Sequence, residues 1–253
     1  MTKMIRASFY KMFHDKASTL CLVGTALWTL LIIWFIIWFI NWPTDHGLNL
    51  MDSELLVKFW RDVFSMQSVS VPLLTGMIVL FSAEFKDQSW KLVIAKGVSQ
   101  AEYYFVKLLC CLWLEIKICF FVTMTATLVG WGSMNMPMNG VMLGTIFQYF
   151  VGQCIAHAPM TVLAYTVVFL IRTPEVASSF NILLLFFGSL LLRKLEGAFG
   201  LGNVLTGVWA FEQYQFVVFN GPIEWIYVGT IFGAYLMVCG LIVCVSSARR
   251  DLA

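Results

Sequence analysis

The sequence predicts an all-α, polytopic membrane protein with six transmembrane helices. Three observations point there. The 253-residue chain is 60% hydrophobic and 12% charged, where soluble domains carry about 25% charged residues, and its mean hydropathy is +0.84. Six apolar runs are long enough for a hydrocarbon core of about 30 Å, which takes about 20 helical residues. The basic residues, finally, are shared unevenly between the segments that join those runs.

Residues 1–16 precede the first run. Ile5, Phe9, Met12 and Phe13 recur at helical spacing, with Lys3, Arg6, Tyr10, Lys11 and His14 around the rest of the wheel. This pattern predicts an amphipathic interfacial helix with a basic face. A frayed basic tail that only sets topology is the alternative. The segment does not read as a cleavable signal, because its charges reach Lys16 and no small-residue cleavage pattern follows.

The predicted spans are 17–40, 66–83, 104–130, 141–171, 176–192 and 225–245. Trp34, Trp38 and Trp42 crowd the far end of the first like an interfacial belt. Pro72 and Gly76 lie in the second, and Pro159 is expected to bend the long fourth. The connection 41–65 holds an amphipathic piece over 55–64, while 131–140 and 172–175 are short turns. Residues 193–224 are glycine-rich and then aromatic, with Phe199, Trp209, Phe211, Tyr214, Phe216 and Phe219. That loop is expected to form re-entrant or interfacial helices on the outer side. The alternative is a seventh, irregular span, against which Gly200, Gly202, Asn203, Glu212, Gln213 and Gln215 argue.

With the amino terminus inside, eleven basic residues fall on inner segments: Lys3, Arg6, Lys11, Lys16, Lys86, Lys91, Lys96, Lys107, Arg172, Arg249 and Arg250. Four fall outside: Lys58, Arg61, Arg193 and Lys194. The positive-inside bias then places both termini in the cytoplasm.

The segment 84–107 carries four lysines and three acids between two apolar runs. Each charge at bilayer depth costs about 2.5–3.5 kcal/mol on insertion scales, so this segment faces water. Phe85, Trp90, Leu92, Val93 and Ile94 give it an apolar side, as a helix docking into a groove on another protein needs. A helix lying apolar side down on the lipid surface is the alternative. Gly97-Val98-Ser99 breaks that helix, and Ser99 is placed to cap the next.

Phosphate-cradling, zinc-protease and nucleophile-elbow motifs are missing from the sequence. The three histidines are far apart. No catalytic residue, metal ligand or bound cofactor is expected, and a net charge of +2 is too small to argue for nucleic acid. The seven cysteines all sit in apolar runs and read as small fillers. Within the spans, Glu115 and Lys117 point about 200° apart on a helix and cannot pair with each other. Gln153 and His157 share a face of the fourth span, with Gln148 not far round it. This polar set either lines a substrate pathway or bonds helices together.

The layout resembles the permease subunit of a bacterial type-2 ABC exporter, the small six-span kind made apart from its ATPase. There, a second span ends at an acidic residue, a cytoplasmic coupling segment runs to a Gly-x-Ser-Arg-like turn, and a lysine enters the third span. Glu84, Gly97-Val98-Ser99-Gln100 and Lys107 stand at those places, with Gln100 where an arginine is common. The opening 9–16 is similar to that family's surface helix. The resemblance implies a coupling helix within 84–103 that meets the motor through Glu84, Phe85, Asp87, Trp90, Lys91, Ile94, Gly97 and Ser99. It implies two separate ABC ATPase subunits, which bind ATP and Mg, and a second permease copy or a paralogous permease. The size resembles lantibiotic-immunity and bacitracin-resistance permeases, which act on amphipathic peptides or lipid-like substrates. Two other readings stand beside it: an ion-coupled secondary transporter or channel using Glu115 and His157, and a scaffold or sensor that transports nothing.

Overall fold

The computed structural model describes residues 4–8, 10, 16–39, 63, 68–134, 140–202, 204–211 and 225–251. Among these the regular structure is all helical. Residues 4–8 and Tyr10 are helical, consistent with the expected amphipathic start. The rest of that segment, including Phe9, Met12 and Phe13, lies outside the described residues, as do residues 212–224 and the amphipathic piece 55–64 except for Val63, which is buried.

Eight helices follow in the described chain: α1 (Lys16–Phe39), α2 (Ser70–Lys86), α3 (Ser89–Ala95), α4 (Gln100–Met134), α5 (Gly140–Ile171), α6 (Pro174–Phe199), α7 (Val204–Gly207) and α8 (Trp225–Asp251). Pro72 is tolerated in the first turn of α2, where its missing N–H has no intrahelical partner in any case. Between α2 and α3 the chain turns at Gln88, with φ 54. Gly97 ends α3 at φ 87, a backbone that favours glycine, and its N–H bonds the Ile94 carbonyl at 2.9 Å. Ser99 then caps α4 as expected. Its Oγ accepts from the Glu102 N–H, and its own N–H donates to the Glu102 carboxylate, both at 3.2 Å. Pro174 opens α6 with a pre-set φ, and Gly200 closes it at φ 65.

The centre is the antiparallel pair α4 and α5. Ile118, Val122 and Ala126 on α4 and Ala156, Met160, Ala164 and Val168 on α5 are buried, each set at helical spacing. Helix α1 packs on α4 and α2, α8 on α5, and α6 on α2 and α5. Four helices are long and apolar enough to cross a membrane: Thr19–Ile36, Leu143–Ile171, Glu175–Phe199 and Trp225–Ala248. Of these, the α5 window is 67% buried, against 28%, 17% and 28% for α1, α6 and α8. The three peripheral helices therefore turn broad apolar faces outward, which water does not tolerate at this extent and lipid does. The segments expected as second and third spans are helical, as α2 and α4, but α2 has only 17 residues and α4 carries Glu102, Lys107, Glu115 and Lys117.

Several helix ends differ from expectation: α4 runs from Gln100 to Met134, α6 begins at Pro174 within an expected turn, and α8 runs on to Asp251. Helix α6 runs on past 192 to Phe199, so Arg193 and Lys194 stand on a helix rather than opening a loop. Residues 204–211 then lie back along α6. A Cβ on Gly188 would lie 2.5 Å from the Trp209 ring, so the indole fills the notch that glycine leaves. Tyr227 donates to the Gly207 carbonyl at 2.7 Å and Tyr235 to that of Val208 at 3.0 Å, while the Ala210 N–H donates to Tyr235 at 3.1 Å. Irregular backbone placed against helices is thus satisfied by side chains.

Candidate functional site

The residues expected to couple this chain to a partner converge at one end of the bundle, where α2 ends, α4 begins and α5 ends. Glu84 is buried near the end of α2. Its carboxylate accepts from Lys107 Nζ at 2.7 Å and from the Tyr103 hydroxyl at 2.8 Å. The Lys107 ammonium also lies 5.6 Å from the Tyr103 ring centre. The acid and the lysine that bracket the segment in sequence therefore clasp it shut in space. A buried pair of this kind is maintained by mutual compensation: removing one partner strands the other charge in low dielectric.

A second brace lies beside the first. Trp90 of α3 packs near Phe85, ring centres 6.4 Å apart. The Arg172 guanidinium sits 4.2 Å from the Trp90 ring centre and 5.8 Å from that of Phe169. Its Nη2 donates to Gln100 Oε1 at 2.7 Å. Arg172 thus ties α3, the start of α4 and the end of α5 together through stacking and one charge-assisted bond. It does so from a left-handed backbone, φ 59, which costs a non-glycine residue of order 1 kcal/mol.

This bracing decides which face of α3 is free. Trp90, Val93 and Ile94 are half-buried against the protein's own core. Lys91, Leu92, Ala95 and Lys96 face out, Leu92 at 66% exposure. Much of the apolar side expected to enter a partner's groove is thus occupied at home, and the outward face is Leu92 among lysines. Asp87, Gly97 and Ser99 are exposed at its two ends. Lys91 Nζ donates to Gln88 Oε1 at 2.9 Å.

The polar residues of the spans separate into two sets. Glu115 on α4 accepts a hydrogen bond from the Thr161 hydroxyl on α5, and both are buried. One turn before Thr161, His157 is buried with Nδ1 2.9 Å from the Gln153 carbonyl, a geometry that makes Nδ1–H the donor. The Gln153 side-chain amide is buried too, with no hydrogen-bond partner among the described residues. Gln153, His157 and Thr161 are thus buried at four-residue spacing on α5, and Glu115 of α4 meets this row at Thr161. Gln148 is exposed and Lys117 half-buried outside it, so the structure does not bring these two into the set. Among the described residues, no group of three His, Cys, Asp or Glu side chains is placed to hold a metal.

Arg172 is the residue that sequence reasoning missed. In the sequence it is one inner-side cation among eleven, and its partners Trp90 and Gln100 lie far away along the chain. No family model, curated protein or solved structure matches the chain.

Proposed function

We propose that this chain is the membrane-embedded permease subunit of an ATP-driven exporter and hydrolyses nothing itself. In this reading α2 and α4 complete six spans in a bacterial plasma membrane, with both termini cytoplasmic. Residues 84–101 are the surface gripped by two separate ATPase subunits, which carry ATP and Mg. A second copy or a paralogous permease completes the transporter, and the cargo is an amphipathic peptide, antibiotic or lipid-like molecule. The observation that carries this reading is the bracing of α3. A seven-residue helix is held by Glu84–Lys107 and by Trp90–Arg172–Gln100, so that its outer face is fixed relative to α2, α4 and α5. A push on that face reaches three long helices at once.

The test is co-purification with a separately expressed ABC ATPase followed by transport in vesicles. Lys91→Glu and Leu92→Glu change only outward side chains, so the permease should stay folded while ATPase association and transport fall together. If a chain lacking 84–100 still assembles with its ATPase and transports normally, the coupling role is wrong.

The Glu115–Thr161 contact favours a second reading, ion-coupled transport through the α4–α5 seam. It predicts flux without any ATPase and its loss in Glu115→Gln. Under the exporter reading that variant keeps ATP-dependent transport.

A further inference from the structure

Helices α1 and α2 do not close on each other along their whole contact. A cleft of about 390 Å³ lies between them, lined by Leu20, Gly24 and Trp28 on α1 and by Pro72, Thr75 and Gly76 on α2. That is within the range of small-molecule sites, about 300–1,000 Å³. It opens to the surroundings, since Leu20 is 70% exposed and Gly24 and Thr75 are exposed too. Its two hydroxyls are turned away from any guest. Thr25 donates to the Cys21 carbonyl and Thr75 to that of Val71, both at 2.8 Å. What remains is an apolar slot on the flank of a helix long and apolar enough to cross a membrane. Left empty, such a slot forfeits dispersion contacts on every wall.

One charge stands at its mouth. Lys16 begins α1 and is exposed. It precedes Leu20 by one helical turn on the same face, and helical side chains lean toward the amino terminus. Its ammonium therefore projects beyond the slot's end. We propose that the cleft is a binding site for an anionic phospholipid: one acyl chain lies along Leu20, Gly24 and Trp28, and the phosphate sits on Lys16. The site stands whether or not the chain is an exporter subunit.

The test uses the full chain in vesicles of equal parts phosphatidylglycerol and phosphatidylcholine, with a trace of either lipid carrying a diazirine near the middle of its acyl chain. After photolysis, labelled peptides are mapped by mass spectrometry, and the exposed α8 face at Met237 and Leu241 reports bulk lipid. The phosphatidylglycerol probe should label 20–28 and 71–76 above that face, and more than the phosphatidylcholine probe does. Gly24→Phe should bring cleft labelling down to the bulk level, because a Cβ on Gly24 meets nothing within 4 Å and the ring can occupy the slot. Thr75→Phe fills it from the opposite wall, which guards against a folding defect peculiar to one variant. Lys16→Gln should leave the chain in the slot but cut the preference for the anionic lipid about fivefold, as roughly 1 kcal/mol per cation near an anionic headgroup gives. Equal labelling by both probes in the wild type, or labelling unchanged in both filled variants, overturns the proposal.

Discussion

Arg172 shows what a single side chain does at the braced end of the molecule. Its guanidinium is flat, so it stacks on Trp90 and bonds Gln100 at the same time; a lysine cannot do both. Arg172→Ala is expected to loosen α3, seen as faster amide exchange over 89–95, with Arg172→Lys restoring little. A loss of about 0.5–2 kcal/mol of local stability is the scale for such a contact. Arg172→Gly is expected to exchange as fast in α3, yet melt above the alanine variant, because glycine adopts φ 59 without strain. The clasp at Glu84 behaves differently. Lys107→Met or Glu84→Met alone should cost about 3–5 kcal/mol by leaving a buried charge uncompensated, while the double variant Glu84→Met/Lys107→Met regains most of it, a coupling that a double-mutant cycle of melting curves measures. None of this was legible in the sequence. Glu84 and Lys107 stand there as two ends of a charged interval, and Arg172 as a topological marker. Pairings between residues that are distant along the chain leave no periodic trace.

At the scale of elements, local rules carried well. The Ser99 cap, the Gly97 stop and the long apolar helices were all readable from residue type and spacing. Ser99→Ala should shift the start of α4 and cost about 1 kcal/mol, the usual loss of a side-chain cap, read as faster amide exchange over its first turn. The inner face of α3 was not readable. A helix of two turns has too few positions for periodicity to decide whether Leu92 or Trp90 points inward; tertiary contacts decide it. The end of α6 was missed for another reason. Arg193 and Lys194 were read as closing a span, but long basic side chains reach past an apolar surface while their backbone stays helical.

For the whole molecule, composition announced a membrane protein, and the outward apolar faces of α1, α6 and α8 agree with it. The α4–α5 seam at its heart was only half legible. Gln153, His157 and Thr161 share a face of α5 because four-residue spacing fixes a helix face, and Glu115 reaches it at Thr161. Gln148 falls outside because its place is five residues from Gln153, off that face, and it turns outward. The fold-back at 204–211 was foreseen as apolar and short-helical, though not what it touches. Gly188→Ala puts a methyl group where the Trp209 ring lies and should expel the indole, seen as a red-shifted emission in a variant keeping only that tryptophan. With Trp209 seated in α6 and Tyr235 clasping Val208 and Ala210 from α8, these two helices are corked by a piece of the chain itself. Any motion that spreads them must first draw the cork, and so begins at this stopper.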